Sequence, residues 1–114
     1  MESILTSIKK LLGIAEEYTH FDNDLIVHIN SVFLILTQLG VGPATGFMIE
    51  DKYAEWEEFI DSSTLLQSVK SFMYLKVKLL FDPPLSSTAL QSMTNIVNEF
   101  EWRIRLAVEQ MDTE

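Results

Sequence analysis

A chain of 114 residues, 47% of them apolar, is long enough for one domain with a modest hydrophobic core. Its 17 acidic and 8 basic residues give a net charge of −9, which disfavours any function that grips a nucleic-acid backbone. The chain has no cysteine, which excludes disulfides and thiolate metal sites, and its 3 prolines and 4 glycines encode few turns, which favours a few long helices.

Neither a signal peptide nor a membrane segment is predicted. In MESILTSIKKLLGIAEE the lysines lie inside the apolar pattern rather than before it, which is not typical of a signal peptide. Residues 25–49 contain no charged residue, but polar side chains and a GVGP turn interrupt their apolar run. That run is therefore too short to cross a bilayer.

The first predicted helix has a single apolar stripe and ends at Gly13, a residue type that favours helix C-termini. The stripe consists of Ile4, Leu5, Ile8, Leu11 and Leu12. Lys9 and Lys10 fall outside it.

The second predicted helix begins at Asp22, which suits an N-cap, with Phe21 and Ile26 as a hydrophobic staple. It continues up to Gly40. Its middle, VFLIL at Val32–Leu36, is apolar all round, so we expect it to be covered on most sides by its own domain or by other subunits.

An irregular stretch and a short acidic helix follow. GVGPATGF (Gly40–Phe47) predicts a glycine-rich loop at about 40–50, and Phe47–Ile49 is compatible with a short extended piece. YAEWEEFI (Tyr53–Ile60) predicts one or two helical turns that are acidic outside. Its inward positions, at i, i+3 and i+7, are Tyr53, Trp56 and Ile60.

The third long helix is predicted to begin near Asp61–Ser63 and must end by Asp82. Pro83 pushes the residue before it out of the helical region, and neither Pro83 nor Pro84 has the N–H that a continuing helix needs. The main apolar stripe is Leu65, Leu66, Val69, Phe72, Met73, Val77 and Leu80, and a second apolar side is Tyr74, Leu75, Leu79 and Phe81.

The final helix is predicted to restart with Ser86 as N-cap and with Leu85 and Leu90 as a staple. One face then carries Ala89, Met93, Ile96, Val97, Phe100, Ile104, Ala107, Val108 and Met111. No strand pair is predicted. The sequence therefore predicts one all-α domain over residues 1–114, a small bundle of about four helices plus the short acidic helix.

Few residues could carry chemistry. His20 and His28 lack the spacing of a ligand pair. Glu55 and Glu58 form an ExxE pair of the kind that all-α nucleotide pyrophosphohydrolases use to hold Mg²⁺, but the next long helix contains no carboxylate to complete the site. We therefore predict a solvated acidic face and no catalytic, metal-binding or cofactor-binding residue.

The apolar surface exceeds what a four-helix monomer readily covers, which indicates oligomerisation or partner binding. Direct binding of nucleic acid by stacking is disfavoured, because no basic groove surrounds the two tryptophans. The predicted interface residues are Val32, Phe33, Leu34, Ile35, Trp56, Trp102, Arg103 and Arg105.

Four segments resemble the head–tail connector (adaptor, head-completion) proteins of long-tailed bacteriophages and prophages, in the versions from Gram-positive hosts. They are IKKLLGI (Ile8–Ile14), FDNDLIVHINSVFLILTQLG (Phe21–Gly40), SVKSFMYLKVKLLFDPPLSS (Ser68–Ser87) and NEFEWRIRLA (Asn98–Ala107). The most specific elements are K-x-LLGI, the HIN…QLG helix and the FDPP break before the final helix.

The resemblance implies a helical structural protein of the virion, with no catalysis and no cofactor. About twelve copies would form a ring below the portal protein, extend the DNA channel and present a surface to a tail-side stopper (head-closure) protein. The C-terminal part would engage the portal. The protein would lie at the head–tail interface of the virion after assembly in the host cytoplasm.

In this interpretation the FDPP break is a structural turn. Phe81 packs into the core, while Asp82, Pro83 and Pro84 set the final helix at a fixed angle. Two alternatives remain open at this point. One is a cytosolic helical interaction or regulatory dimer, and the other is an Mg²⁺-dependent nucleotide hydrolase that uses Glu55 and Glu58.

Overall fold

The computed structural model describes residues 2–61 and 63–112, and 68% of this part is helical. The helices are α1 (Ile4–Leu12), α2 (Asp22–Gln38), α3 (Trp56–Phe59), α4 (Ser63–Phe81) and α5 (Ser87–Asp112). Within these residues there is no strand, only an isolated antiparallel bridge between Ser3 and Glu55. The prediction of a small all-α bundle with a short acidic helix and an irregular loop at about 40–50 is confirmed.

Helix α4 lies at the centre of the bundle and packs against α1, α2 and α5. Its buried side chains follow the predicted stripe and are Leu65, Val69, Phe72, Met73 and Val77. Leu80, at the end of the predicted stripe, is exposed instead. No helix in the described part of the chain is both long and apolar enough to cross a membrane.

Helix α1 has the predicted bounds, but one of its lysines is buried. The Ser3 hydroxyl accepts a hydrogen bond from Thr6 N at 3.1 Å and so caps the helix, while Gly13 ends it in the left-handed conformation. Lys9, outside the apolar stripe, is only 2% exposed. Its ammonium contacts the carbonyl oxygens of Glu16 and Tyr18 and the carboxylate of Asp22.

Helix α2 starts at Asp22 itself, so the predicted capping role of Asp22 is wrong. Phe21 occupies the cap position and makes no side-chain cap bond. Phe21 and Ile26 therefore do not stand at the two positions that a hydrophobic staple requires. The Asp22 carboxylate instead lies 2.8 Å from Lys9 Nζ. A negative charge in the first turn suits the helix dipole, and the ion pair fixes α2 against α1.

The short helix α3 contributes two buried aromatic side chains to the core, Trp56 and Phe59. The Trp56 indole N–H donates to Ser7 Oγ on α1 at 2.9 Å. The same segment is joined to the N-terminus by backbone bonds, from Ile4 N to Ala54 O and from Trp56 N to Glu2 O. Tyr53, predicted to point inward, is exposed, because it precedes the helix rather than belonging to it.

Helices α4 and α5 are separated by the predicted break at residues 82–86. Helix α4 ends at Phe81, and Ser86 Oγ accepts from Ala89 N at 3.3 Å, as expected of an N-cap. The staple predicted between Leu85 and Leu90 is wrong, because Leu85 is fully exposed. Helix α4 begins at Ser63, within the predicted range.

Only part of the predicted apolar face of α5 is covered by the bundle. Val97 and Ile104 are buried, whereas Ile96 and Met111 are exposed. The remaining apolar positions of the face are half-buried or exposed. The first half of the helix therefore extends beyond the core and leaves apolar side chains in contact with solvent.

Candidate interaction surfaces

An apolar groove runs along the outer side of α2, and we call it the α2 groove. It is lined by Val27, Asn30, Ser31, Leu34, Thr37 and residues 44–48, and its volume is about 670 Å³. Val27 and Leu34 are two helical turns apart, about 10 Å along the axis, and both are exposed. Met48, from the loop that forms the opposite wall, is exposed as well. None of the lining residues is charged.

The wall opposite α2 is held in place by the side chain of Asn30. Its Nδ2 donates to Ile49 O at 3.0 Å, and its Oδ1 accepts from Ile49 N at 2.8 Å. This pairing satisfies both backbone polar groups of a buried residue, as a neighbouring strand would. The irregular loop thus has a defined position, and the groove has two fixed walls.

A second surface lies at the start of α5, and we call residues 83–98 the α5 tip. This segment contains no Asp, Glu, Lys or Arg. Leu85 at the turn is fully exposed, and Leu90 and Ile96 on the helix are also exposed. A long uncharged and partly apolar segment on the surface of a chain with net charge −9 is a candidate contact surface.

The turn between α4 and α5 is anchored by aromatic contacts. The Phe81 ring lies edge-on to Phe21, with 5.2 Å between centroids, and 6.3 Å from the ring of His28. Phe81 is half-buried against the core, whereas Asp82 and Pro83 are exposed. Lys78 Nζ lies 2.7 Å from Asp82 Oδ2, which closes the last turn of α4. The direction of α5 is therefore set at the point where α4 stops.

Three of the predicted interface residues belong to the core of the chain itself. Val32, Phe33 and Trp56 are all 0% exposed. All three belong to the buried core, in which the Phe33 and Trp56 ring centroids are 6.1 Å apart. The prediction that these three side chains contact a partner is corrected, because no part of them is accessible in this fold.

The other predicted interface residues lie at or near the surface. Leu34 is 61% exposed and Trp102 is 56% exposed, while Ile35 is half-buried. Within the Val32–Leu36 segment, Leu34 is thus the side chain that this fold leaves exposed. An interface role for these residues stays a prediction.

The exposed arginines of α5 are held by acids on their own helix. Arg103 Nη2 lies 2.8 Å from Glu99 Oε1, and Arg105 Nη2 lies 3.5 Å from Glu101 Oε2. Exposed i,i+4 pairs contribute only about 0.3–0.5 kcal/mol each. Both guanidinium groups can therefore leave their partners for a stronger acidic site at little cost in stability.

The acidic ExxE pair is explained by local helix structure. The backbone N–H of Glu55 donates to Glu58 Oε1 at 2.9 Å, which is the reciprocal half of a capping box on α3. Among the described residues, no group of three or more His, Cys, Asp or Glu side chains is placed to hold a metal ion. The donor set that Mg²⁺ requires is thus missing around Glu55 and Glu58 in the described part of the chain.

Sequence reasoning missed Val27, Met48 and Leu85 as surface residues of interest. The two charge-free stretches, 25–49 and 83–98, were the available signal, because such stretches in a strongly acidic chain are either buried or shared with a partner.

The comparisons with known proteins agree with this picture. A family model described as phage connector protein matches residues 4–111, nearly the whole chain. No curated protein and no solved structure is significantly similar to the chain. The match covers α1 and α4 entirely and nearly all of α5, so it concerns the complete helical bundle and both candidate surfaces.

Proposed function

Since the chain belongs to the phage connector protein family, we propose that it forms a ring at the portal vertex of a long-tailed phage. There it joins the DNA-filled head to the tail and extends the DNA channel. The family is a structural one, so the chain acts by binding rather than by catalysis. The observation that carries this proposal is the family match over residues 4–111.

The proposed partners are the portal protein on the head side, a tail-side stopper protein, and other copies of the chain in a ring of about twelve. Two exposed surfaces without charge, the α2 groove and the α5 tip, are available for contacts of this kind. The protein would function in the virion of a phage of a Gram-positive host, after assembly in the host cytoplasm.

The charge of the chain suits a channel through which DNA moves. A net charge of −9 repels the phosphate backbone, so a channel wall of this protein would let DNA slide instead of holding it. The basic side chains are largely occupied within the chain. Lys70 pairs with Glu2 at 2.6 Å, and Lys78 pairs with Asp82 at 2.7 Å.

The test is to mix the purified chain with the portal protein of the same phage and to measure the mass of the product by light scattering over a range of salt concentrations. We expect a complex of portal with several copies of the chain. Failure to bind this portal at any salt concentration would overturn the proposal. A stable dimer that does not bind portal would instead favour a helical regulatory protein.

A pair of charge variants locates the portal contact. Arg103→Glu/Arg105→Glu should weaken portal binding while leaving the melting temperature nearly unchanged, because both ion pairs are exposed. Lys10→Glu/Lys52→Glu is the matched control, since it changes the net charge by the same amount at two other exposed positions. Equal losses of binding in the two variants would indicate a general charge effect rather than a contact by the C-terminal part.

A further inference from the structure

We propose that the α2 groove of one copy receives the α5 tip of a second copy of this chain. The inference rests on the proposed ring and deepens it, because it assigns the two surfaces through which neighbouring copies meet. Leu85 and Leu90 would enter the groove between Val27, Leu34 and Met48.

The two surfaces lie on different helices of the same subunit. Helix α4 packs against both α2, which carries the groove, and α5, which carries the tip. A contact between two different patches is heterologous, and heterologous contacts generate rings when the rotation between subunits closes. A two-fold dimer would instead require both groove-to-tip contacts to form at once across the symmetry axis.

Electrostatics favours a second copy over a foreign partner at these two surfaces. Two copies that each carry a net charge of −9 repel one another wherever acidic surfaces approach. The residues lining the groove and the residues of the tip contain no charge of either sign, so contact there brings no like charges together. A basic partner would gain more from the acidic segment at residues 50–61.

The shapes of the surfaces agree with this pairing. The groove is concave and open, and Leu34 on its α2 wall is 61% exposed. Leu85 protrudes from a turn that Pro83 and Pro84 stiffen on one side and the Ser86 cap holds on the other. A side chain presented by a stiff turn requires little backbone ordering when it is buried in a partner, which makes it a suitable anchor.

Disulfide trapping tests the pairing, and because the chain has no cysteine, its own sequence contributes no other cross-link. The variants Leu34→Cys and Leu85→Cys are oxidised separately and as a mixture, with and without portal, and are analysed on non-reducing gels. We expect the mixture to give about tenfold more cross-linked dimer than either variant alone. Leu11→Cys replaces Leu34→Cys as the control, because Leu11 is similarly exposed but lies outside both surfaces.

A second variant tests whether the cross-linked contact lies in the α2 groove. Val27→Asp, added to the Leu34→Cys protein, places a carboxylate in the contact and should lower the yield of mixed dimer about tenfold. Leu11→Asp in the same protein should leave the yield unchanged. Because all three side chains are exposed in the monomer, the melting temperature should stay within a few degrees in each case.

The outcomes separate this inference from the proposed function. Cross-linking of Leu34→Cys to itself, or a mixed yield no higher than with Leu11→Cys both with and without portal, would overturn the pairing. Portal binding by the unmodified chain, measured independently, would still support the connector function in that case. A specific mixed dimer in a chain that never binds portal would overturn the connector function and keep the pairing.

Discussion

Asn30 on α2 holds the backbone of Ile49 with two hydrogen bonds, one to the carbonyl oxygen at 3.0 Å and one from the amide at 2.8 Å. This side chain is the N of the HIN segment, so the polar residue at this position of α2 has a structural reason. It attaches the irregular loop to the bundle and thereby positions one wall of the α2 groove.

Replacing Asn30 with Asp keeps the size of the side chain but removes the N–H that Ile49 O accepts. A carboxylate oxygen would then face the carbonyl oxygen, and we expect a loss of about 2 kcal/mol in the free energy of unfolding. The repulsion between these oxygens should open the loop more often, so the Ile49 amide should exchange faster with solvent even though a carboxylate oxygen can still accept from it. Ser31→Ala, at the neighbouring exposed position, should change stability by less than about 0.5 kcal/mol. Unchanged protection at Ile49 would contradict the proposed role of Asn30.

Lys9 joins three parts of the chain through one buried ammonium. Its Nζ donates to the carbonyl oxygens of Glu16 and Tyr18, both at 2.8 Å, and pairs with the Asp22 carboxylate at 2.8 Å. Lys9→Met would keep the aliphatic stem but leave the three acceptors without a positive charge. We expect the free energy of unfolding, measured by urea denaturation, to fall by roughly 3 kcal/mol. Lys10→Met is the control, because Lys10 is exposed. Similar denaturation midpoints for the two variants would refute this account.

Two glycines of the loop should respond differently to replacement by alanine. Gly42 and Gly46 both have positive φ, but a Cβ at Gly42 would overlap the Phe59 ring, whereas a Cβ at Gly46 would meet nothing within 4 Å. Gly46→Ala should therefore cost only the backbone strain, about 1 kcal/mol. Gly42→Ala should cost about 3 kcal/mol, because the ring must also move. Equal melting temperatures for the two variants would show that the Phe59 ring moves aside without any loss of stability.

The double proline is expected to matter more for assembly than for folding. Alanine favours a helix interior by roughly 3 kcal/mol over proline, so Pro83→Ala/Pro84→Ala lets α4 extend toward Ser86. The monomer should stay helical, because Val97 and Ile104 remain packed on the bundle. The direction of α5 and the position of Leu85 would change, and a small angular error per subunit prevents ring closure.

The measurement compares thermal melting and portal binding for this double variant. We expect portal binding to fall more than the melting temperature does. A collapse of melting together with normal portal binding by the protein that remains folded would show that the break serves folding alone. Lys78→Ala is a useful control, since it removes the ion pair to Asp82 but leaves both prolines in place.

Much of the fold could be predicted because its signals are local and periodic. The bounds of α1, the end of α4 before the two prolines and the serine cap of α5 follow from residues within one or two helical turns of each boundary. The predicted caps and staples were less reliable. The side chain of Asp22 suits a helix cap, but its carboxylate pairs with Lys9, which lies in another helix.

The sequence by itself determined an acidic all-α bundle, the break between its last two helices and the resemblance to phage connectors. Only the tertiary structure decided which side of the uniformly apolar VFLIL segment is covered, because a helix that is apolar all round has no periodicity to indicate its buried face. Thus Val32 is in the core while Leu34 is exposed in the groove. The contacts of Lys9, Asn30 and Trp56 likewise join residues from different elements, and such pairings depend on packing rather than on local sequence.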